Sequence, residues 1–195
     1  MSDSVAMVEQ APLQDRDLLQ RLSLYFDAFD IRLRQGQGWF IFNAGSGRSG
    51  RISSFIQHRL AEHEPSVSYY LMPWRDFALS AYVTEVGLPN LIPQVDANIK
   101  AKREFDLATR VTYHTWTQML STDLLVLVGL KPSYRHEAEL LDRTIAGRHE
   151  QRLATILLTP DMPTQLEADF ETVDPSREYW DRIFQRMYET SLVAL

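Results

Sequence analysis

Residues 38–52 read GWFIFNAGSGRSGRI. A short apolar run, Trp39-Phe40-Ile41-Phe42, meets a Gly/Ser-rich turn from Asn43 to Gly50, and a helix pattern follows from about Ser49 to Glu62. The order is strand, glycine loop, helix. Downstream the alternation continues: a strand at Val67 to Met72, a helix at Trp74 to Val86, and a break at Gly87, Pro89 and Pro93. Residues 96–119 read as a mixed helix. The strongest buried-strand signal is Leu124-Leu125-Val126-Leu127-Val128, closed by Gly129 and Pro132. A helix at 133–147, a strand from Ala154 to Leu158 closed by Pro160 and Pro163, and a last helix from Pro175 to Leu192 complete the series. Upstream, Leu18, Leu19, Leu22, Phe26, Phe29 and Leu33 set a helix from Leu13 to Gln35, and residues 1–12 read as a flexible arm. Strands alternating with helices predict a parallel sheet covered on both faces, with ligands at the carboxyl ends of its strands. The loops to inspect therefore follow Phe42, Met72, Val128 and Leu158. The pattern predicts one domain over residues 13–195.

Composition narrows the classes. The 195 residues are 45% apolar and 24% charged, ordinary for a globular protein with a core that needs no disulfide or structural metal. The absence of cysteine excludes thiolate catalysis, iron–sulfur clusters and cysteine-based zinc sites, and fits a reducing cytoplasm. No apolar run approaches the roughly 20 residues of a membrane span, and the acidic MSDSVAMVEQAP start lacks the order of a secretory signal. The net charge of −6 is concentrated in acidic ends around a nearly neutral centre, which does not by itself advertise nucleic-acid binding.

Phosphate binding by a strand–loop–helix unit uses glycines that let backbone N–H groups converge, a lysine charge, and a hydroxyl for the magnesium shell. Gly45-Ser46-Gly47-Arg48-Ser49 has that order, with Gly47-Arg48-Ser49 where Gly-Lys-Ser/Thr would stand. Two departures matter. Phe42 occupies the first glycine position, and Arg48 replaces lysine with a longer, planar fork. A shifted register, Gly45 to Gly50 followed by Arg51 and Ile52, has better glycine spacing but no hydroxyl. Hydrolysis also needs an acidic pair at the end of a buried strand. Val128 and Gly129 stand there instead, and Asp123 lies at the wrong end of the same strand.

Four stretches together, GWFIFNAGSGRSGRI, TDLLVLVGL, EAELLDRTIAGRHEQRLATILLTPDMPTQL and YWDRIFQRMYE, resemble the ATPase module of the DnaC/IstB group, the bacterial helicase loaders and transposition helper ATPases of the AAA+ superfamily. The resemblance covers about residues 36–190. It implies an α/β P-loop NTPase (AAA+-like) fold, three-layer αβα with a mostly parallel sheet, and the given sequence shows no obvious lid domain. Arg148-His149 and Thr155-Ile156 match family elements in kind, whereas Thr159-Pro160 stands where the family places a polar sensor, with Asp161 nearby. Asp181-Arg182-Ile183 resembles the element whose arginine acts on a neighbouring subunit's nucleotide, with Arg186 as the other candidate. The lysine, the acidic pair and the sensor are all missing. The expectation is therefore a pseudo-ATPase with weak ATP or ADP binding or none, and no metal site. It would act as a binding or assembly factor on a helicase or an active AAA+ ATPase in replication or transposition. DNA contact and homo- or hetero-oligomer formation are left open. Two other readings remain: an active or weakly active ATPase of the same group, and a sulfotransferase-like enzyme using the Gly45–Gly50 loop.

The remaining chemistry-bearing residues have blander readings. His58 and His63 beside Glu62 and Glu64 read as a solvated helix end rather than a metal site. Trp39, Trp74, Trp116, Trp180 and the Tyr69-Tyr70 pair read as core or partner contacts before base-stacking platforms. Arg48, Arg51, Arg59, Lys100, Lys102, Arg103 and Arg110 are candidates for a basic, DNA-facing surface.

Overall fold

Buried apolar runs form the sheet, and their alternation decides where each helix packs. The computed structural model describes residues 2–63, 66–87 and 99–195. The strands are β1 (Gly38–Ile41), β2 (Tyr69–Pro73), β3 (Leu124–Val128), β4 (Ala154–Leu158) and β5 (Ser191–Ala194). All pairings are parallel, in the order β2-β3-β4-β1-β5. Because side chains alternate along a strand, Trp39, Ile41, Leu124, Val126, Ile156 and Leu158 face one layer. Phe40, Leu125, Leu127 and Leu157 face the other.

On the first face lie α1 (Ser2–Gln10), α2 (Leu13–Asp27), α3 (Phe29–Arg34) and α4 (Ser46–Ala61), through residues such as Leu18, Leu22, Phe26, Phe55 and Ile56. The second face carries α5 (Trp74–Tyr82), which runs into a π-helical turn at Val83–Gly87. It also carries the end of α6 (Ile99–Ser121), α7 (Arg135–Glu150), α8 (Pro163–Val173) and α9 (Glu178–Thr190). The sheet is thus sandwiched between helical layers, as the alternation predicts.

Four assignments differ from the sequence expectation. The single helix expected from Leu13 to Gln35 is two, α2 and α3, broken at Ala28. Residues 2–10 are helical, and Met7 and Val8 pack against the core beside buried Ala11. Residues 163–173 form α8, opened by Pro163 in its first turn, where a missing N–H costs nothing. The last helix stops at Thr190, and residues 191–194 become the edge strand β5, in register with β1 from Gly38↔Ser191 to Ile41↔Ala194. Pro89, Pro93 and residues 96–98 lie outside the described residues.

Asp174 fixes the turn between α8 and α9. Its carboxylate accepts the Ser176 hydroxyl at 2.6 Å and the Tyr179 N–H at 3.1 Å, capping α9. Burial opposes the charge, but these bonds and nearby Arg135 hold the carboxyl below its ordinary value. A depressed carboxylate stabilises the fold above its unfolded value, near 4, and that contribution is lost as pH falls through the folded value. Asp174→Ala is expected to cost about 1–2 kcal/mol in urea unfolding at neutral pH, with the difference from the parent shrinking below about pH 4.

Candidate functional site: the glycine loop

The loop connects the carboxyl end of β1 to α4, and the backbone N–H groups of its first residues, 42–44, are already committed. Phe42 N–H donates to the Ala194 carbonyl at 2.8 Å, Asn43 N–H to Asp161 at 3.0 Å, and Ala44 N–H to Thr159 at 2.8 Å. Phe42, in the place of the first glycine, is buried and stacks on Phe40 with ring centroids 4.2 Å apart. It therefore anchors the loop in the core. Gly45 is the residue preceding α4, so Gly47, Arg48 and Ser49 lie in the first turn of that helix.

The loop glycines are not held by sterics. Neither Gly45, Gly47 nor Gly50 has a positive φ. A Cβ would meet nothing within 4 Å at Gly45 or Gly50, and only the Arg51 guanidinium at 3.4 Å at Gly47. Gly50 sits inside α4 with open space around it, so Gly50→Ala is expected to stabilise the protein by about 0.5–1 kcal/mol in a denaturant titration.

Arg48 is turned back onto its own chain. Nη1 donates to the Asn43 carbonyl at 3.0 Å and more weakly to Phe42 at 3.5 Å, and Nη2 donates to the Leu195 carbonyl at 3.2 Å. Nε faces Asp15 Oδ1 at 3.1 Å. Asp15, from the first turn of α2, has no exposed surface and also takes two hydrogen bonds from Arg51, at 2.7 and 2.5 Å. One carboxylate thus stands between the two guanidiniums at the head of α4. Around them is an open cleft of about 510 Å³ that includes Asn43, Gly45, Gly47, Arg48, Arg51 and Leu195.

Across the sheet the carboxyl ends align as Val128↔Leu158↔Ile41, which puts Val128 two strand spacings, roughly 10 Å, from the start of the loop. Val128 packs against the core. Gly129 has φ +84, a conformation that favours glycine, and the turn lets both its N–H and that of Leu130 donate to the Leu158 carbonyl, at 2.9 and 2.8 Å. Gly129, expected from the sequence to stand at the second acidic position, is a turn glycine. Thr159, which follows β4, is buried: its N–H bonds to Ile41, its carbonyl takes Ala44 N–H, and its hydroxyl oxygen accepts the Asp161 N–H. The Asp161 carboxylate is paired with Lys131 at 3.1 Å, and Lys131 also contacts Asp169 at 3.3 Å. Hydrogen bonding to Asp161 pushes the Lys131 ammonium above its ordinary value. Among the described residues the set does not fit a magnesium shell: Val128 and Gly129 offer no carboxylate to accompany the Ser49 hydroxyl. Among the described residues no group of three or more His, Asp and Glu side chains could hold a metal ion.

The other predicted residues lie apart from the loop. Arg182 and Arg186 on α9 both pair with Asp142 on α7, at 2.9 and 2.7 Å, and Arg182 also contacts Glu178. They fasten α9 to α7. Arg148 is at the amino ends of β3 and β4, the edge opposite the loop, with its guanidinium on the carbonyls of Met119, Thr122 and Ala154 and on Thr155 Oγ1. Trp39, Trp74 and Trp180 are buried, and Trp116 is half-buried against Arg143, so none presents an open stacking face. Of the basic-surface candidates, Arg59 pairs with Asp27 at 2.6 Å, and the side chains of Lys100, Lys102 and Arg103 lie outside the described residues. His63 pairs with Asp30 and His58 with Glu62, as a helix end would. Asp15 is the residue that the sequence reading missed. Its acidic place in a first turn is ordinary, and nothing in the spacing ties it to a loop some thirty residues later.

The sheet order, the loop after β1 and the helices on both faces define an α/β fold with an all-parallel five-stranded sheet in the order β2-β3-β4-β1-β5. Solved structures with this arrangement include the DnaC helicase loader, with a TM-score of 0.60 and 15% identity over 95% of this chain and 92% of that one. A DNA replication initiation factor is similar at a TM-score of 0.60 and 14% identity, over 96% of this chain and 48% of that one. This chain therefore spans about half of the initiation factor. At such identities the likeness is one of fold. No protein-family model matches the sequence, and no curated protein matches it. No described helix is long and apolar enough to cross a membrane.

Proposed function

We propose that this chain is a helicase-loader-like binding and assembly factor of DNA replication, an AAA+ module that docks on a helicase or on an active AAA+ ATPase and does not hydrolyse nucleotide. The observation that carries the reading is the fate of Arg48. The one cation in the lysine position spends its donors on the Phe42, Asn43 and Leu195 carbonyls and faces Asp15, so a phosphate has to displace an intramolecular partner for each contact it gains. Valine and a turn glycine in place of the acidic pair support the same reading. So does the committed backbone of residues 42–44, whose N–H groups are unavailable to a phosphate. The open amino end of α4 leaves a residual attraction for anions, consistent with weak ATP or ADP binding at most.

The fold likeness to a helicase loader favours replication over transposition as the setting. Arg182 and Arg186 are engaged with Asp142, which supports a role within the chain rather than across a subunit boundary. Mixing the protein with the replicative helicase of its host, and separately with the cognate loader ATPase, tests the proposal by size-exclusion chromatography. Co-elution without added nucleotide is expected. Failure to associate with either, together with magnesium-dependent turnover by the chain alone, would contradict it.

A further inference from the structure

At the amino-terminal edge of the sheet, opposite the glycine loop, lies a cavity of about 390 Å³. It is built where two helices end in the same way. After α3, the Gly36 N–H donates to Leu33 and the Gln37 N–H to Arg32, both at 2.9 Å, with Gly36 at φ +65. After α7, the Arg152 N–H donates to His149 at 3.1 Å and the Leu153 N–H to Arg148 at 2.9 Å, with Arg152 at φ +56. These are matching Schellman ends, and glycine is the ordinary occupant of the left-handed position. One end uses glycine and the other tolerates arginine. The two ends also touch: a Cβ on Gly36 would come within 2.8 Å of the Arg152 carbonyl group.

Two arginines with no partner among the described residues line the cavity. Among the arginines whose side chains the structure describes, Arg34 and Arg152 alone have no hydrogen bond, ion pair or ring contact, and both line this cavity. Positive charge is favoured at a helix carboxyl end, which accounts for one arginine on each helix but not for their convergence on one cavity. His149, whose Nε2 contacts Glu189 at 3.3 Å, adds a polar wall, while Ile145, Leu153 and Met187 supply apolar lining. Paired planar guanidiniums recognise oxyanions, and an apolar wall recognises what the oxyanion is attached to.

We propose that this cavity binds a small organic oxyanion, a carboxylate or phosphate on a compact apolar body, with the charge held by Arg34 and Arg152 and the body against Ile145, Leu153 and Met187. The backbone strain at Arg152 is then retained for its side chain. The site is separate from the glycine loop and does not depend on nucleotide binding there.

The test uses the full chain, with phenyl phosphate, inorganic phosphate and benzyl alcohol as probes, followed by calorimetry and amide NMR shifts. Phenyl phosphate is expected to bind saturably, about tenfold tighter than inorganic phosphate, with shifts centred on Gly36 and Leu153. Arg34→Gln and Arg152→Gly are each expected to weaken it about tenfold, and Arg75→Gln, at an exposed position away from the cavity, to leave it unchanged. Arg152→Gly is also expected to raise Tm by about 2–4 °C, because glycine relieves the left-handed backbone. A fall in Tm would make the arginine a structural residue and overturn the proposal. So would the absence of saturable binding, binding undiminished by both substitutions, or shifts centred on Gly45–Ser49 instead. Equal affinity for the two phosphates would overturn its apolar half.

Discussion

Arg148→Met is expected to destabilise the fold by about 3–5 kcal/mol, the largest effect of any single substitution considered. The side chain is 1% exposed and binds the end of α6, the entry to β3 and the entry to β4 through the carbonyls of Met119, Thr122 and Ala154, with Thr155 Oγ1 as a further acceptor. Burial pushes the guanidinium down to about 10, so it remains charged at neutral pH. Methionine fills much of the volume but supplies no donor, and several buried oxygens are left unpaired at once. Lysine keeps the charge without the fork, so Arg148→Lys is expected to fall between parent and methionine variant. Urea unfolding of the three proteins checks this, and a loss below about 1 kcal/mol for methionine would mean that other donors reach those carbonyls.

Asp15→Asn is expected to have opposite effects on stability and on anion binding. The carboxylate is fully buried between Arg51, at 2.7 and 2.5 Å, and Arg48, at 3.1 Å. Neutralising it weakens charge-assisted bonds and should cost about 2–3 kcal/mol of stability. It also removes the negative charge that competes with any ligand phosphate for both arginines. Affinity for ATP is then expected to rise about tenfold, the scale of one nearby charge at the effective dielectric of a protein surface. Calorimetry on the parent and Asp15→Asn proteins measures the gain. Adding Arg48→Gln should abolish it. Affinity that stays level or falls on removing Asp15 would show that the carboxylate does not compete with ligand at this loop.

The parts of the fold that could be read from the sequence are those in which one local signal decides. Leu124–Val128 is apolar throughout, and Ala154–Leu158 apolar except for Thr155, because helices cover both sheet faces, and the Gly/Ser stretch after Phe42 interrupts the pattern sharply. Two elements escaped for opposite reasons. Pro163 reads equally well as a strand stop or as the first turn of a helix, and it serves as the latter. Residues 191–194 continue the apolar spacing of the preceding helix, and only pairing with β1 turns them into a strand. At the loop, the residue types themselves, Arg48, Val128 and Gly129, were legible in the sequence. Their physical counterparts were not: the fold-back of Arg48, its contact with Asp15 across the layer, and the φ of +84 that makes Gly129 a turn residue all depend on tertiary geometry.

These contacts bear on chemistry in one way. Phosphoryl transfer relies on positioning and on electrostatic stabilisation by a metal and a free cation. Here Arg48 is engaged, Val128 and Gly129 at the end of β3 carry no carboxylate, and Asp15 and Asp161 are each paired with a basic side chain. The most direct measurement is ATP turnover by the purified chain with magnesium, with and without single-stranded DNA. No turnover above the protein-free control is predicted. Magnesium-dependent hydrolysis abolished by Ser49→Ala would contradict the account, because it would mean that the first turn of α4 assembles a working site despite the contacts that close it.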